Sequence, residues 1–211
     1  VSPRDARVWA PAAAVLVAAL VWWRARDNAW TLVNPFPQGS RIIAFGDSLT
    51  AGVQVPEDQA YPAHLGRLLG TPVLAKGVPG DTTAEALARV DADVLAQDPR
   101  VVLVCLGGND MLRGLPPEDL FSNLREIVRR IQGKGALVVI IGLDWRLPSR
   151  VDYGDRYRAL ARETGSVYVD DFLDGVFGDP RLMTDQIHPN AAGYERVARR
   201  IEAAAGKYLR R

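Results

Sequence analysis

The chain has 211 residues, 48% of them hydrophobic and 24% charged, a size and balance that suit one globular domain and exclude a disordered chain. Its 26 basic and 25 acidic residues leave a net charge of +1, and no block rich in lysine or arginine breaks that balance, so nucleic acid is not an expected partner. One cysteine, Cys105, excludes an intramolecular disulfide, and any chemistry needing an imidazole must choose between His64 and His188.

In chain order the first feature is apolar. Val8 to Trp23 carries no charge over 16 residues, about 24 Å as a helix, near the short end of a membrane span. Arg4 and Arg7 precede it, Arg24 and Arg26 follow it, and Trp9, Trp22 and Trp23 stand near its ends, where interfacial aromatics belong. The following WWRARDNAW offers no convincing cleavage site, and a core helix would keep a polar face. Residues 1–27 are therefore expected to form an apolar helix that contacts the membrane as an uncleaved anchor. Secretion after signal cleavage is the alternative. Balanced arginines leave the orientation open. Residues 28–40, with two prolines and a glycine, read as a linker or an extended approach to a domain at 41–211.

From Arg41 a repeating alternation sets in. RIIAF is a short apolar run ending at Gly46, which suits a tight turn. AYPAHLGRLLG is helix-like and closes on Gly70; PVLAKG is a short strand; TTAEALARV is a helix opened by Asp81 or Thr82. VVLVCLGG is a buried strand in which Cys105 reads as a small hydrophobe rather than a catalytic thiol. In PPEDLFSNLREIVRRIQGKG, Leu120, Leu124, Ile127, Val128 and Ile131 share one helical face, prolines mark the start and Gly133 the stop. ALVVIIGL is a third apolar strand, YGDRYRALARETG a helix and SVYVDDF a short strand. The last helix is NAAGYERVARRIEAAAGKYL, with Asn190 as its N-cap. Such alternation implies βαβ units and a mainly parallel sheet covered on both faces, with ligands bound beyond the carboxyl ends of the strands.

The loops at those ends hold chemistry-bearing residues. They are Gly46-Asp47-Ser48-Leu49, Val78-Pro79-Gly80-Asp81-Thr82-Thr83, Gly107-Gly108-Asn109-Asp110 and, before the last helix, Asp185-Gln186-Ile187-His188-Pro189-Asn190. Ser48 reads as a helix-capping residue or as a nucleophile that needs an adjacent base, and both can hold because a helix start also favours developing negative charge. An imidazole titrates near neutrality and suits that base, and Asp185, three residues before His188, can reach it within one turn. His64, in a helix beside apolar residues, reads as a structural or surface residue. Asp47 and Asp110 read as loop-bracing groups, Asp170 and Asp171 as a solvated pair. Two separated histidines without a cysteine cluster make a poor metal-ligand set, and neither a G-x-G-x-x-G nor a P-loop pattern is present.

Together the blocks FGDSLTAG, GDTT, GGND and DQIHPN resemble those of the SGNH (GDSL) hydrolase family, in its order, over Arg41 to about Tyr208. LRGLPP and RLP resemble its thioesterase/protease/lysophospholipase branch. The resemblance implies a flavodoxin-like α/β/α sandwich on a mainly parallel, five-stranded sheet. It implies a catalytic triad of Ser48, His188 and Asp185, and an oxyanion hole from the amides of Ser48 and Gly80 and the side chain of Asn109. At Gly80 a Cβ would be expected to block close approach. Leu112, Leu115, Trp145 and Leu147 lie in loops at the same edge and are candidates for an acyl groove. The implied reaction is hydrolysis of a carboxylic ester or thioester through an acyl-enzyme, without metal or organic cofactor. The expected substrate is a small acyl ester or a lysophospholipid, and the expected enzyme a monomer outside the cytoplasm. A carbohydrate acetylesterase or acyltransferase on the same fold is the alternative, and a non-catalytic membrane-anchored binding module the third reading.

Overall fold

The structure, a computed structural model, describes residues 30–144 and 151–210. The apolar Val8–Trp23 stretch, and Trp145 and Leu147, fall outside them. Among the described residues no helix is long and apolar enough to cross a membrane.

Within the unit that runs from Leu32, strand β1 (Arg41–Gly46) leads into the one-turn helix α1 (Ser48–Ala51) and then helix α2 (Tyr61–Leu69). Strand β2 (Val73–Gly77) is followed by α3 (Thr83–Asp93), β3 (Pro99–Cys105), the short α4 (Gly108–Leu112) and α5 (Pro117–Gly133). Strand β4 (Leu137–Ile141), helix α6 (Tyr153–Thr164), β5 (Val167–Val169) and α7 (Ala191–Leu209) complete it. The five strands form one sheet in the order β2-β1-β3-β4-β5, and every neighbouring pair is parallel.

The apolar runs become strands because both faces are covered. β4 is buried along its whole length and β1 everywhere beyond Arg41, as expected of parallel strands between helix layers. The helices pack in two groups, α2 against α7, and α3, α5 and α6 in succession. Helix α5 turns Leu120, Phe121, Leu124, Ile127, Val128 and Ile131 inward, and Glu118 and Asp119 complement its first turn. Helix α3 opens at Thr82 through a capping box: the Thr82 hydroxyl accepts from the Glu85 amide at 3.3 Å, and the Glu85 carboxylate accepts from the Thr82 amide at 2.8 Å. Asn190 caps α7 by accepting from the Gly193 amide at 3.1 Å. The approach to β1 lies along this body: the Val33 amide donates to Gly165 O at 2.8 Å, and Asn34 Nδ2 donates to Gln132 O and Ala136 O at 2.9 and 3.0 Å.

Strand β1 lies between β2 and β3, so the chain leaves it to one side first and crosses to the other later. The loops after β1 and β3 therefore part at this point and leave a crevice at the carboxyl edge. The turn after β3 is fixed by Tyr157, whose buried hydroxyl donates to Leu106 O at 2.7 Å. Gly107 has φ +114, and a Cβ there would meet that hydroxyl. Gly107→Ala is expected to cost on the order of 2–4 kcal/mol, from overpacking and a left-handed backbone together. Urea unfolding measures it, and a loss under about 0.5 kcal/mol would contradict this account of the turn.

Candidate active site

Ser48 begins α1 at the carboxyl end of β1. Asp47 caps that turn, its Oδ1 accepting from the Leu49 amide at 3.0 Å, and Gly52 closes it in the left-handed region with φ +74. One turn of helix can lie this close to the sheet because two neighbours lack a side chain. A Cβ on Gly46 would strike Thr50 Oγ1 and the Cys105 carbonyl; one on Gly77 would strike the Ala51 and Asp47 backbone. Gly46 is thus needed for close approach and not, as its place in the sequence suggests, for the conformation of a turn; its φ is not positive.

The 185–188 loop is closed by a short antiparallel bridge between Met183 and Pro189, and the Thr184 amide donates to His188 O at 2.8 Å. Within it, Asp185 Oδ1 accepts from the amides of Ile187 and His188, each at 2.7 Å. Asp185 Oδ2 lies 2.8 Å from His188 Nδ1, and His188 Nε2 lies 3.0 Å from Ser48 Oγ. With its Nδ1 proton donated to the carboxylate, the imidazole presents a lone pair to the serine hydroxyl. Partial burial pulls the Asp185 carboxyl upward, but the imidazole and the two amides outweigh it and hold the group at about 2. Asp185 therefore stays an anion throughout the neutral range.

The third element is a set of donors. Among the described residues the Ser48 and Gly80 amides donate to no protein group. Gly80 has φ +87, and a Cβ there would meet only Arg113 Nη2, at 3.8 Å. The glycine is required by its backbone conformation, and crowding, the reason expected from sequence, does not apply. Asn109 lies in α4 and donates Nδ2 to Asp81 O at 2.9 Å and, more loosely, to Asp47 Oδ2 at 3.3 Å.

Buried carboxylates brace these loops. Asp110 accepts from the Thr83 amide at 2.9 Å and its hydroxyl at 2.6 Å, joining the loops after β2 and β3. Asp47 is 1% exposed; burial pushes its carboxyl up to about 7, against the pull of the Leu49 amide and of His188. Arg89 was not singled out from sequence, where its only signal is Asp93 four residues on. Its guanidinium lies over the Phe45 ring, 4.4 Å from the centroid. Nε donates to Asp81 Oδ2 at 2.5 Å, Nη1 to Asp93 Oδ2 at 2.8 Å and Lys76 O at 3.2 Å, and Nη2 to Gly46 O at 2.8 Å. One cation thereby ties the ends of β1 and β2 to the loop carrying Gly80.

Leu112 and Leu115 are 48% and 38% exposed, and so is Val78 at 39%, which sequence reading passed over. Arg113, between the two leucines, donates from Nη2 to Gly80 O at 2.6 Å and holds their loop against the loop carrying Gly80. The remaining candidates lie apart from this chemistry. Cys105 is buried and burial pushes its thiol well above the ordinary range. His64 Nδ1 is paired with Arg67 Nη2 at 2.9 Å, and burial and that arginine lower its affinity for a proton. Asp171 departs from the solvated pair expected: it is partly buried, and desolvation with the neighbouring Asp144 charge raises it to about 6.

Known proteins resemble this chain in sequence and in fold. The profile described as GDSL-like Lipase/Acylhydrolase family matches residues 44–196. The chain is 33% identical over 187 residues to an esterase of Pseudomonas aeruginosa, TesA, covering 82% of this chain and 91% of that protein. It is 35% identical over 160 residues to thioesterase 1/protease 1/lysophospholipase L1 of Escherichia coli, with 71% and 75% covered. Among solved structures, the crystal structure of TesA superposes with a TM-score of 0.72 at 31% identity, over 81% of this chain and 100% of that one.

The Asp47 carboxyl makes a prediction about stability. Its folded value of about 7 lies above the ordinary 3.8, so between those values the native state holds the proton more tightly than the unfolded chain. Stability is then lost as pH rises through that window, by about 4 kcal/mol for about three units. Asp47→Asn, which keeps an acceptor for the Leu49 amide, is expected to flatten the decline between pH 4.5 and 7.5 in thermal melts. An unchanged slope would contradict the assignment.

Proposed function

The chain belongs to the GDSL-like lipase/acylhydrolase family and is a serine ester hydrolase, and we propose that Ser48, His188 and Asp185 carry its reaction. The observation that supports this most is the 3.0 Å separation of His188 Nε2 and Ser48 Oγ, with Asp185 on the far nitrogen. His188 removes the hydroxyl proton as Ser48 attacks the acyl carbonyl. The carbonyl oxygen becomes an oxyanion that the Ser48 and Gly80 amides and Asn109 Nδ2 stabilise. Asn109 joins by giving up its longer contact to Asp47. His188 then protonates the leaving alcohol or thiol, and water repeats the sequence on the acyl-enzyme.

For substrate we propose acyl esters, acyl thioesters and lysophospholipids. Exposed Val78, Leu112 and Leu115 beside the oxyanion loop support an apolar path for an acyl chain, to which Trp145 and Leu147 would contribute. In the proposed organisation, residues 1–27 hold the enzyme at a lipid surface and 28–40 lead to the catalytic part at 41–211.

The test is hydrolysis of p-nitrophenyl esters from acetyl to palmitoyl. Activity is expected to peak at medium or long chains; a peak at acetyl would shift the reading to a carbohydrate acetylesterase. Ser48→Ala is expected to lower kcat by roughly 10⁴–10⁶-fold with the fold intact, and Asn109→Ala by about 10²–10³-fold. His64→Ala should leave kcat within about twofold, because that ring takes no part in the transition state. A large loss there with His188→Ala active would overturn the triad.

A further inference from the structure

The chain leaves α1 through two left-handed residues. Gly52 is one; the other is Gln54, with φ +70. A glutamine in this region is uncommon, since its Cβ crowds the backbone and glycine would relieve the strain. Its side chain gives a reason. Gln54 Nε2 donates to Asp185 Oδ2, across 131 residues of sequence. An ionised carboxylate offers about four lone-pair sites. On Asp185 two are filled by the amides of Ile187 and His188, one by His188 Nδ1, and Gln54 fills the fourth. The filling matters because Asp185 is 36% exposed, whereas a triad carboxylate is commonly buried. Water would otherwise compete at the oxygen that orients the imidazole.

We propose that Gln54 is a positioning residue of the catalytic relay, clamping the Asp185–His188 loop to the turn that follows the nucleophile. This rests on the Ser48–His188–Asp185 reading. Two effects follow from one hydrogen bond. The clamp joins the turn that follows Ser48 to the loop that carries His188, the two segments whose register sets the distance between them. The amide also shares Oδ2 with His188 Nδ1, drawing off negative charge that would otherwise stabilise the imidazolium. Other titratable groups near the relay are Asp47, whose charge acts on His188, and the buried Tyr194 hydroxyl near Asp185; no variant below alters either.

The test compares Gln54→Ala, Gln54→Gly and Gln54→Glu in the full chain on one p-nitrophenyl ester. Alanine and glycine are each expected to lower kcat about tenfold with KM within twofold, the split expected of a group that acts on the transition state. Gln54→Gly should melt higher than Gln54→Ala, because it relieves the left-handed turn, yet be no more active. The acidic limb of the kcat/KM profile should move to higher pH in Gln54→Ala, and further in Gln54→Glu, where a second carboxylate faces the relay. In an Asp185→Ala background, Gln54→Ala should add little, since the two share one interaction. Activity of Gln54→Ala within twofold of the parent, with an unmoved limb, would overturn the proposal. So would restoration of activity in Gln54→Gly, which would trace the effect to the turn. Full activity of Asp185→Ala would instead overturn the triad reading, and the proposal with it.

Discussion

Everything at this site depends on how closely a helix start can approach the end of a parallel sheet. All five strands deliver their carboxyl ends to one edge, but a side chain on Gly46 or Gly77 would hold α1 away from it. With both positions bare, Asp47 caps the turn from within the core and Ser48 stands at the helix start, where unpaired amides favour negative charge. The Ser48 hydroxyl and the Ser48 amide, the nucleophile and one oxyanion donor of the proposed reaction, belong to the same residue, so placing one places the other.

The loops around that serine bury Leu49, Leu106 and Met111 and are tied to one another by charged and polar side chains. Arg89 grips the ends of β1 and β2 and the Asp81 carboxylate; Asp110 grips Thr83; Asp47 grips the Leu49 amide and, loosely, Asn109. These groups are buried or nearly so, where a hydrogen bond is electrostatically stronger than in water and an unpaired group is costly. The triad is disposed differently. Its carboxylate is partly exposed and accepts from four donors, while the imidazole is more deeply covered, with 16% of its side chain exposed against 36% for Asp185.

Much of this could be read in the sequence. β1, β3 and β4 are apolar runs too short for helices, and α5 repeats its buried residues at helical spacing, because burial on one or both faces dictates those patterns. Ser48, His188 and Asp185 stood out because each falls in a polar block just beyond or between such elements, and four blocks together resemble one family. What escaped is what tertiary distance governs. Arg89 meets Gly46 O across 43 residues and Gln54 meets Asp185 across 131, so neither pairing leaves a periodic trace. Sequence alone points to backbone conformation at Gly46 and to space at Gly80, the reverse of what the structure shows, because a glycine in a sequence does not say whether it is there for space or for φ. Asp171 looked solvated beside Asp170 because adjacency in a chain does not fix the direction of a side chain.

The central claim is that Ser48 is the nucleophile and that His188 activates it. Labelling with a fluorophosphonate, followed by peptide mass spectrometry, reads this directly, since the reagent bonds to an activated serine oxygen. The account predicts one adduct, on Ser48, whose rate of formation falls by at least about a thousandfold in His188→Ala while the fold is retained. An adduct on another residue, or labelling of Ser48 at an unchanged rate without His188, would contradict it.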